Sequence, residues 1–583
     1  MRFDPENPNH LSRLSRAREA AYKTLQPFRE FRIEAMREMV GKHYGHDGAS
    51  QITPLNVIAL MVQSYSQHLI SNNPAFAVST KYPELVPSAK MFQVGLNEQA
   101  NEMNIRRTIE DVVVDALFGF GVAKVGLTTT SDDSQGFLHD AAQPFADHVG
   151  TEDWVHDTEA SRYEEATFAG NRYRVPLDEV RENPLYDSRV RSKVVGTSRS
   201  NAVVGEQESD RSRTIGSGTG ANHEHILHDQ VELWDIWLPR DGLLLTMVAG
   251  QEFSSCLRIA EWTGPETGPY LFLPYQTIPG NIMPVPPVSG VYDLHILINQ
   301  LLRKAGRQAE RQRTVLGYRD GSADEAERVI NTEDGQGVRM NDPDNVREFR
   351  LGGADAATVS LIMQLRQLAS YVGGNIDAIA GLMASSDTVG QDRLLTENAS
   401  QRLHHMAEKV ENFTSEVGRA IGAYLWDSDV IRRLSMMIEG TSIEIQRYWG
   451  PDERVGKFYH YNVDVVAHSL RRKTPEQKMS VIEQALGQLF LPLMPVLQSQ
   501  GYAIDIRGLL RLWSETRGIP EMMDIVIPVD PSQAQADMES TPAPWPASAR
   551  REPVTRGKGR QQVDPFTEGA RQMVADQRSN AAR

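Results

Sequence analysis

The stretch PVPPVSGVYDLHILINQLLRKAGRQAERQRTVLGY, Pro284 to Tyr318, constrains the fold of this chain more than any other. Its prolines at 284, 286 and 287 cannot lie inside a helix. Beyond them Val291, Leu294, Ile298, Leu301, Ala305 and Ala309 recur at three- and four-residue spacing, which places them on one apolar stripe of an α-helix. Ser289 reads as its N-cap and Asp293 as a first-turn acid that suits the positive end of the helix dipole. A helix over about 289–314 would be roughly 39 Å long. Arg303, Lys304, Arg307, Arg311 and Arg313 crowd its C-terminal half. Such a face is either solvated, where it also suits the negative end of the dipole, or a contact for a polyanion.

Composition limits the choice. The chain has 583 residues, 40% hydrophobic and 24% charged, enough for several packed domains. Its net charge of −16 argues against a surface that adsorbs nucleic acid everywhere, because such binding rests on neutralising phosphates. Any DNA contact must therefore be local. The single cysteine, Cys256, excludes an intrachain disulfide and a thiolate-rich metal site, and fits assembly in a reducing cytoplasm. MRFDPENPNH has no apolar signal core, and the most apolar tracts, NVIALMVQSY and VVVDALFGFGVAKVGL, are too short or too interrupted to span a bilayer.

Local signals divide the rest of the chain. Asn9 to His43 reads as amphipathic helix broken by Pro27, and Thr53–Pro54 as the cap and first position of a second helix, stopped by Asn72, Asn73 and Pro74. AFAVST alternates like a strand, one long helix is expected from about Glu84 to the glycines at 119 and 121, and AKVGLTT follows as a strand. Residues from about 195 to 224 are small, polar and glycine-rich, and short β-like runs fill the stretch up to GPYLFLPYQ. Helices are expected at about 356–381 and 391–426, and Thr474, Pro475 and Gln477 form a capping signature after a strand. From Pro531 the composition turns to Pro, Ser and Arg, as in a disordered tail.

Catalytic patterns are missing. GFGVAKVG closes a helix and opens a strand, the reverse of a dinucleotide site, and no phosphate-loop pattern occurs. HEHILH, residues 223–228, lacks HExxH spacing because position 227 is Leu, and the adjacent His404 and His405 point about 100° apart on a helix. No catalytic, cofactor-binding or metal-ligating residue is nominated.

Taken in order, several stretches resemble the portal proteins of tailed bacteriophages, over residues from about 10 to 490. They are the helix ending in SNNP, the strand AFAVST, the helix ending DALFGFGVAKVG, DWVHDTEASRYEEATF, PVPPVSGVYDLHILINQLL, VGGNIDAIAGLMASSDTVGQDRLLTENASQRLHHMAEKVENF and NVDVVAHSLRRKTPEQK. The resemblance implies a mainly helical α+β portal-like fold with a helical wing, helical stem, small β-containing clip and short crown. Its parts are an N-terminal wing (1–175), a first stem region and polar insertion (176–227), a β-rich clip (228–283) and a second stem helix (284–316). A wing with a channel loop at about 338–357 (317–430), a C-terminal wing and short crown (431–530) and a disordered tail (531–583) follow. The first stem helix is expected at 176–196 or is not visible in the sequence.

The resemblance further implies a structural ring of about twelve copies at one capsid vertex, a conduit for genome packaging and ejection, with no enzymatic activity and no cofactor of its own. The implied partners are copies of itself, the major capsid protein, the terminase large subunit, tail or adaptor proteins and double-stranded DNA, in a virion assembled in the host bacterial cytoplasm. Leu294, Ile298 and Leu301 would pack the stem. Arg303, Arg307, Arg311, Arg339, Arg347 and Arg350 would meet DNA in the channel, and an otherwise acidic lumen would keep that contact weak enough for sliding. The stretch Arg339 to Asp355 is either the channel loop, with Gly352 and Gly353 as hinges, or an ordinary surface turn. A tail adaptor or another virion structural protein is the alternative, with an enzyme behind it.

Overall fold

The computed structural model describes residues 3–128, 143–196, 229–249, 256–340, 342, 344, 346–353, 355–379, 389–428, 431–437, 444–466 and 469–470. The first helical region is a pair, α1 (Pro8–Thr24) and α2 (Gln26–Val40), and Pro27 sits in the first turn of α2, where its missing N–H is no loss. Helix α3 (Val57–Leu69) starts later than Thr53–Pro54 suggests. Its cap is Asn56, whose Oδ1 accepts from Ala59 N at 2.9 Å while its amide donates to Met39 O at 2.7 Å. A tertiary contact to the end of α2 thus selects the capping residue.

After strand β1 (Phe76–Thr80), the single long helix expected from Glu84 is two, α4 (Val86–Glu102) and α5 (Ile105–Phe118). Asn104, at φ 48°, makes the break in the left-handed region that asparagine tolerates better than most residues. Strands β2 (Gly121–Thr128), β3 (Gln143–His148), β4 (Trp154–His156) and β5 (Ala169–Pro176) follow. The stretch 176–196, the expected place of a first stem helix, holds two short helices instead, α6 (Leu177–Glu182) and α7 (Ser188–Arg191). Asn183 leaves the helix in extended geometry ahead of Pro184, and Leu177 and Val180 pack under the neighbouring sheet instead of forming a strut.

Strands β6 (Gln230–Leu238), β7 (Leu243–Val248), β8 (Arg258–Glu261) and β9 (Tyr270–Leu273) occupy the stretch expected as a clip. They pair with earlier strands rather than only with one another. A five-stranded antiparallel sheet runs β4-β5-β6-β7-β8, and β9 joins β2 in a three-stranded sheet β3-β2-β9.

The C-terminal half contains α8 (Ser289–Glu310), β10 (Arg313–Tyr318), α9 (Ala323–Ile330), β11 (Val346–Leu351), α10 (Ala356–Val372), α11 (Ile376–Ile379) and α12 (Val389–Asp427). The helix expected over 356–381 is interrupted at Gly374 and Asn375, with φ of 84° and 60°. Strands β12 (Arg432–Met437), β13 (Glu444–Trp449) and β14 (Tyr461–Val465) close the described part, and β14 pairs antiparallel with β1. The architecture is α+β: most helices and the strands β1, β2, β3, β9, β12, β13 and β14 share one large apolar core, while the five-stranded sheet packs into three smaller clusters. At the heart of the large core Phe92 of α4 stacks on Trp449 at 5.8 Å between ring centres, with Trp426 of α12 and Tyr461 of β14 edge-on around it. Helix α12 approaches β1 closely because residue 418 is glycine. A Cβ there would lie 2.3 Å from the Phe76 ring. HEHILH, the capping signature at 474–477 and the proline-rich tail lie outside the described residues.

One buried charge cluster ties the N-terminal helices together. Arg32 of α2 pairs with Asp115 of α5 at 2.5 Å and with Glu152, and His148 of β3 meets the other Asp115 oxygen at 2.7 Å. Burial opposes the charge on Asp115, but Arg32 and His148 more than offset it and hold this carboxyl below its ordinary value of 3.8. The same burial and offset, with Asp115 as the main partner, raise His148 above 6.5. Removing one partner strands the others without compensation. Asp115→Ala is expected to lower unfolding stability by about 3–5 kcal/mol in urea titrations, because it leaves the buried Arg32 and the half-buried His148 beside one carboxylate fewer.

Candidate nucleic-acid interface

The cationic helix α8 begins one residue after the position read as its cap. Val288 occupies the N-cap, and Ser289 is the first helical residue, its Oγ donating to Pro286 O at 2.6 Å. Asp293 consequently falls beyond the first turn. The helix ends at Glu310 rather than near 314, so Arg311 is the C-cap and Arg313 opens strand β10.

The apolar stripe behaves as expected in its first half. Val291 and Ile298 are fully buried, and Leu294 and Leu301 are half-buried against the same core, which also receives Ile362 and Ala369 from α10. The stem-packing residues thus pack within their own chain. Helices α8 and α10 form an antiparallel pair, in which the open side of Gly290 lies 3.5 Å from Val372. Ala309, the last residue of the predicted stripe, is exposed.

A second, polar stripe is one that the apolar pattern does not reveal. His295, Asn299 and Arg303 follow one another at four-residue spacing and face residues 52–55 and α2. Asn299 Oδ1 accepts from Leu55 N at 3.0 Å, and its amide donates to Leu55 O at 2.9 Å. Arg303 Nη1 donates to Ile52 O at 2.8 Å. His295 Nε2 lies 3.5 Å from a carboxylate oxygen of Glu38. Burial first, and the nearby Arg303 second, push His295 down from 6.5 to about 4, so it is neutral at pH 7. Three polar residues at i, i+4 and i+8 beside an apolar stripe were the available signal.

Arg303, one of the six nominated channel arginines, therefore donates from its guanidinium to the backbone carbonyl of Ile52. The other five are distributed beyond the core. Arg307 and Arg311 are exposed at the end of α8 together with Lys304, and Arg313 is exposed where β10 starts. Arg347 and Arg350 lie on β11, opposite Gly317 and Thr314 in an antiparallel ribbon with β10. Arg339 is exposed in the segment between α9 and β11.

Within the expected channel loop at about 338–357, residues 346–351 form strand β11, and helix α10 starts at Ala356. Periodicity obscures the strand because VREFRL mixes charged and apolar residues without a strict two-residue alternation. Gly352 and Gly353, with φ of 78° and 119°, are not an open hinge but the crossing point back into α10. A Cβ at Gly352 would lie 2.9 Å from Arg311 O, and Gly353 N donates to Gln308 O at 3.3 Å. Asp355 then caps α10, accepting from Ala357 N at 3.3 Å.

Chemically, this arrangement offers exposed guanidinium groups on a helix end and a two-stranded ribbon, anchored through α8 to the core. Such groups can make charge-assisted contacts to phosphate without a preformed pocket. Arg347 already sits 3.5 Å from Asp344, but both side chains are more than half exposed, at 67% and 85%, so solvent weakens that pair. Among the described residues no three His, Cys, Asp and Glu side chains are placed to hold a metal ion, and no helix is long and apolar enough to cross a membrane. The chain matches no protein-family model and no curated protein sequence.

Two outcomes are expected of the polar stripe. Asn299→Leu strands the N–H and C=O of Leu55, and is expected to cost about 2–4 kcal/mol in urea unfolding. His295 has its folded value depressed, so the stability it supports is present above its unfolded value of 6.5 and is lost as pH falls towards about 4. The loss is on the order of 3 kcal/mol once complete. Melting curves from pH 7 to pH 4.5 should therefore fall less steeply for His295→Gln than for the unaltered chain.

Proposed function

We propose that this chain is the portal protein of a tailed bacteriophage, a structural ring of about twelve copies that conducts double-stranded DNA through one capsid vertex. The carrying observation is the course of α8. Most of it is locked onto the core by Ile298, Leu301 and the Asn299 clamp on Leu55, and its last turn leaves the core carrying Arg307 and Arg311. The chain then continues into an arginine-bearing ribbon before α10 returns it to the core. An anchored strut that holds an arginine-bearing ribbon at a defined place, in a chain of net charge −16, suits a conduit that touches DNA without holding it. The order of the remaining elements, from the helix ending in SNNP to the long α12, supports the same reading.

In this proposal α8 is the second stem helix, and the β10–β11 ribbon, through Arg347 and Arg350, makes the intermittent phosphate contacts of the channel. The terminase large subunit supplies the pumping. The major capsid protein and tail or adaptor proteins bind the ring's outer faces, and the chain has no catalytic task.

Native mass spectrometry or negative-stain imaging tests the ring directly. A closed assembly of about twelve copies is expected, and a persistent monomer or dimer at micromolar concentration overturns the proposal. The paired substitution Arg347→Glu and Arg350→Glu should leave ring mass unchanged and lower the DNA retained per filled head at least about twofold. Normal filling by that variant would remove these arginines from the channel.

A further inference from the structure

The segment between α8 and α10 is an arm with two electrical poles. Its base carries Lys304, Arg307, Arg311 and Arg313, all exposed, with Glu310 as the only carboxylate among them. Its tip, formed by α9 and the residues on either side, carries Asp320, Asp324, Glu327, Glu333 and Asp334, also exposed, against Arg319, Arg328 and Arg339. Between the poles run the six paired residues of β10 and β11, which at about 3.3 Å per residue hold them roughly 20 Å apart. That distance exceeds the screening length of about 8 Å at physiological ionic strength, so one arm cannot neutralise itself. Among the described residues no ion pair engages Arg307 or Arg311 at the base, or Asp324 or Glu327 at the tip.

Apolar exposure follows the same path. Val315 and Phe349 face each other across the ribbon, 43% and 52% exposed, with the Phe349 ring lying over Gly317. Ile330 at the tip is 65% exposed. Beside the base, the first turns of α10 present Val359, Leu361 and Met363, each more than two-fifths exposed. Large apolar side chains gathered on one arm and on the helix at its root mark a surface that another protein covers. DNA does not fit the whole of it, because a polyanion is repelled by the tip.

We infer that the arm of one copy docks on the next copy of this chain, its acidic α9 tip against the basic end of the neighbour's α8 and the adjoining start of α10. The contact is head-to-tail, since the two patches differ. Such contacts close into rings when the rotation between copies permits. The inference rests on the ring reading and deepens it, and it assigns Arg307 and Arg311 to the subunit contact, leaving the ribbon arginines for DNA.

The test uses the full chain in three forms, with ring mass read by native mass spectrometry at low micromolar concentration and folding checked by circular dichroism. The base variant carries Arg307→Glu and Arg311→Glu, the tip variant Asp324→Lys and Glu327→Lys, and the third carries all four substitutions. Each pair alone places like charges in contact and should lower the ring fraction at least about tenfold. The fourfold variant should restore it. A one-to-one mixture of base and tip variants should also assemble, as alternating copies, because each tip then meets a base of opposite sign. That rescue also shows that neither variant is misfolded. If the unaltered chain forms rings and both paired variants form them equally well, the docking inference is wrong while the ring reading stands. Docking is likewise overturned, and the ring reading kept, if neither the mixture nor the fourfold variant recovers assembly. If the unaltered chain forms no ring, both readings fall.

Discussion

The grip of Asn299 on both backbone groups of Leu55 is the contact on which the cationic end of α8 depends. A helix of 22 residues needs a fixed point if its far end is to act at a defined place. Apolar burial of Val291 and Ile298 supplies most of the favourable free energy, but burial is non-directional and would tolerate small rotations of the helix. Paired hydrogen bonds to a main-chain N–H and C=O are directional, and they set the rotation of α8 about its axis. Arg303 reinforces that setting at Ile52, one turn further on, and His295 completes it while remaining neutral.

The consequence is a division of labour among residues of the same chemical type. Arg303 is bound to backbone and contributes to shape, whereas Arg307 and Arg311, one and two turns beyond, extend past the core and carry unneutralised charge. The overall negative charge does not contradict a local cationic element. It sharpens the contrast, since a field of acids elsewhere confines attraction for phosphate or for an acidic partner surface to a few places. The buried Arg32, Asp115, Glu152 and His148 cluster lies at the other extreme. There, charges are paired away from water and join α2, α5 and β3.

Much of the chain's organisation was legible in its residues because period and punctuation are local properties. The α8 stripe, the strand AFAVST and the long α12 all carry a clear 3.6- or 2-residue repeat. What escaped were features whose cause lies far away in sequence. Asn56 takes the cap from Thr53 because the end of α2 offers its amide two carbonyls. The ribbon strand β11 reads as a loop because its partner, β10, lies almost thirty residues earlier and its own residues mix charged and apolar types without a strict alternation. The strands expected to form a separate clip pair with β5 and β2, a choice that no local signal encodes.

By itself, then, the sequence determined which stretches are predominantly helical, though often not where each helix begins and ends, and that cations are concentrated at the end of one long helix. Those outcomes depend on side-chain spacing and on backbone preferences that act within a few residues. Only the tertiary structure decided which of those cations remain available. Arg303 and Arg307 are indistinguishable by type and separated by a single turn, yet one faces the carbonyl of Ile52 and the other faces solvent. The difference arises from where residues 52–55 pass across the helix, and long-range packing alone specifies that crossing.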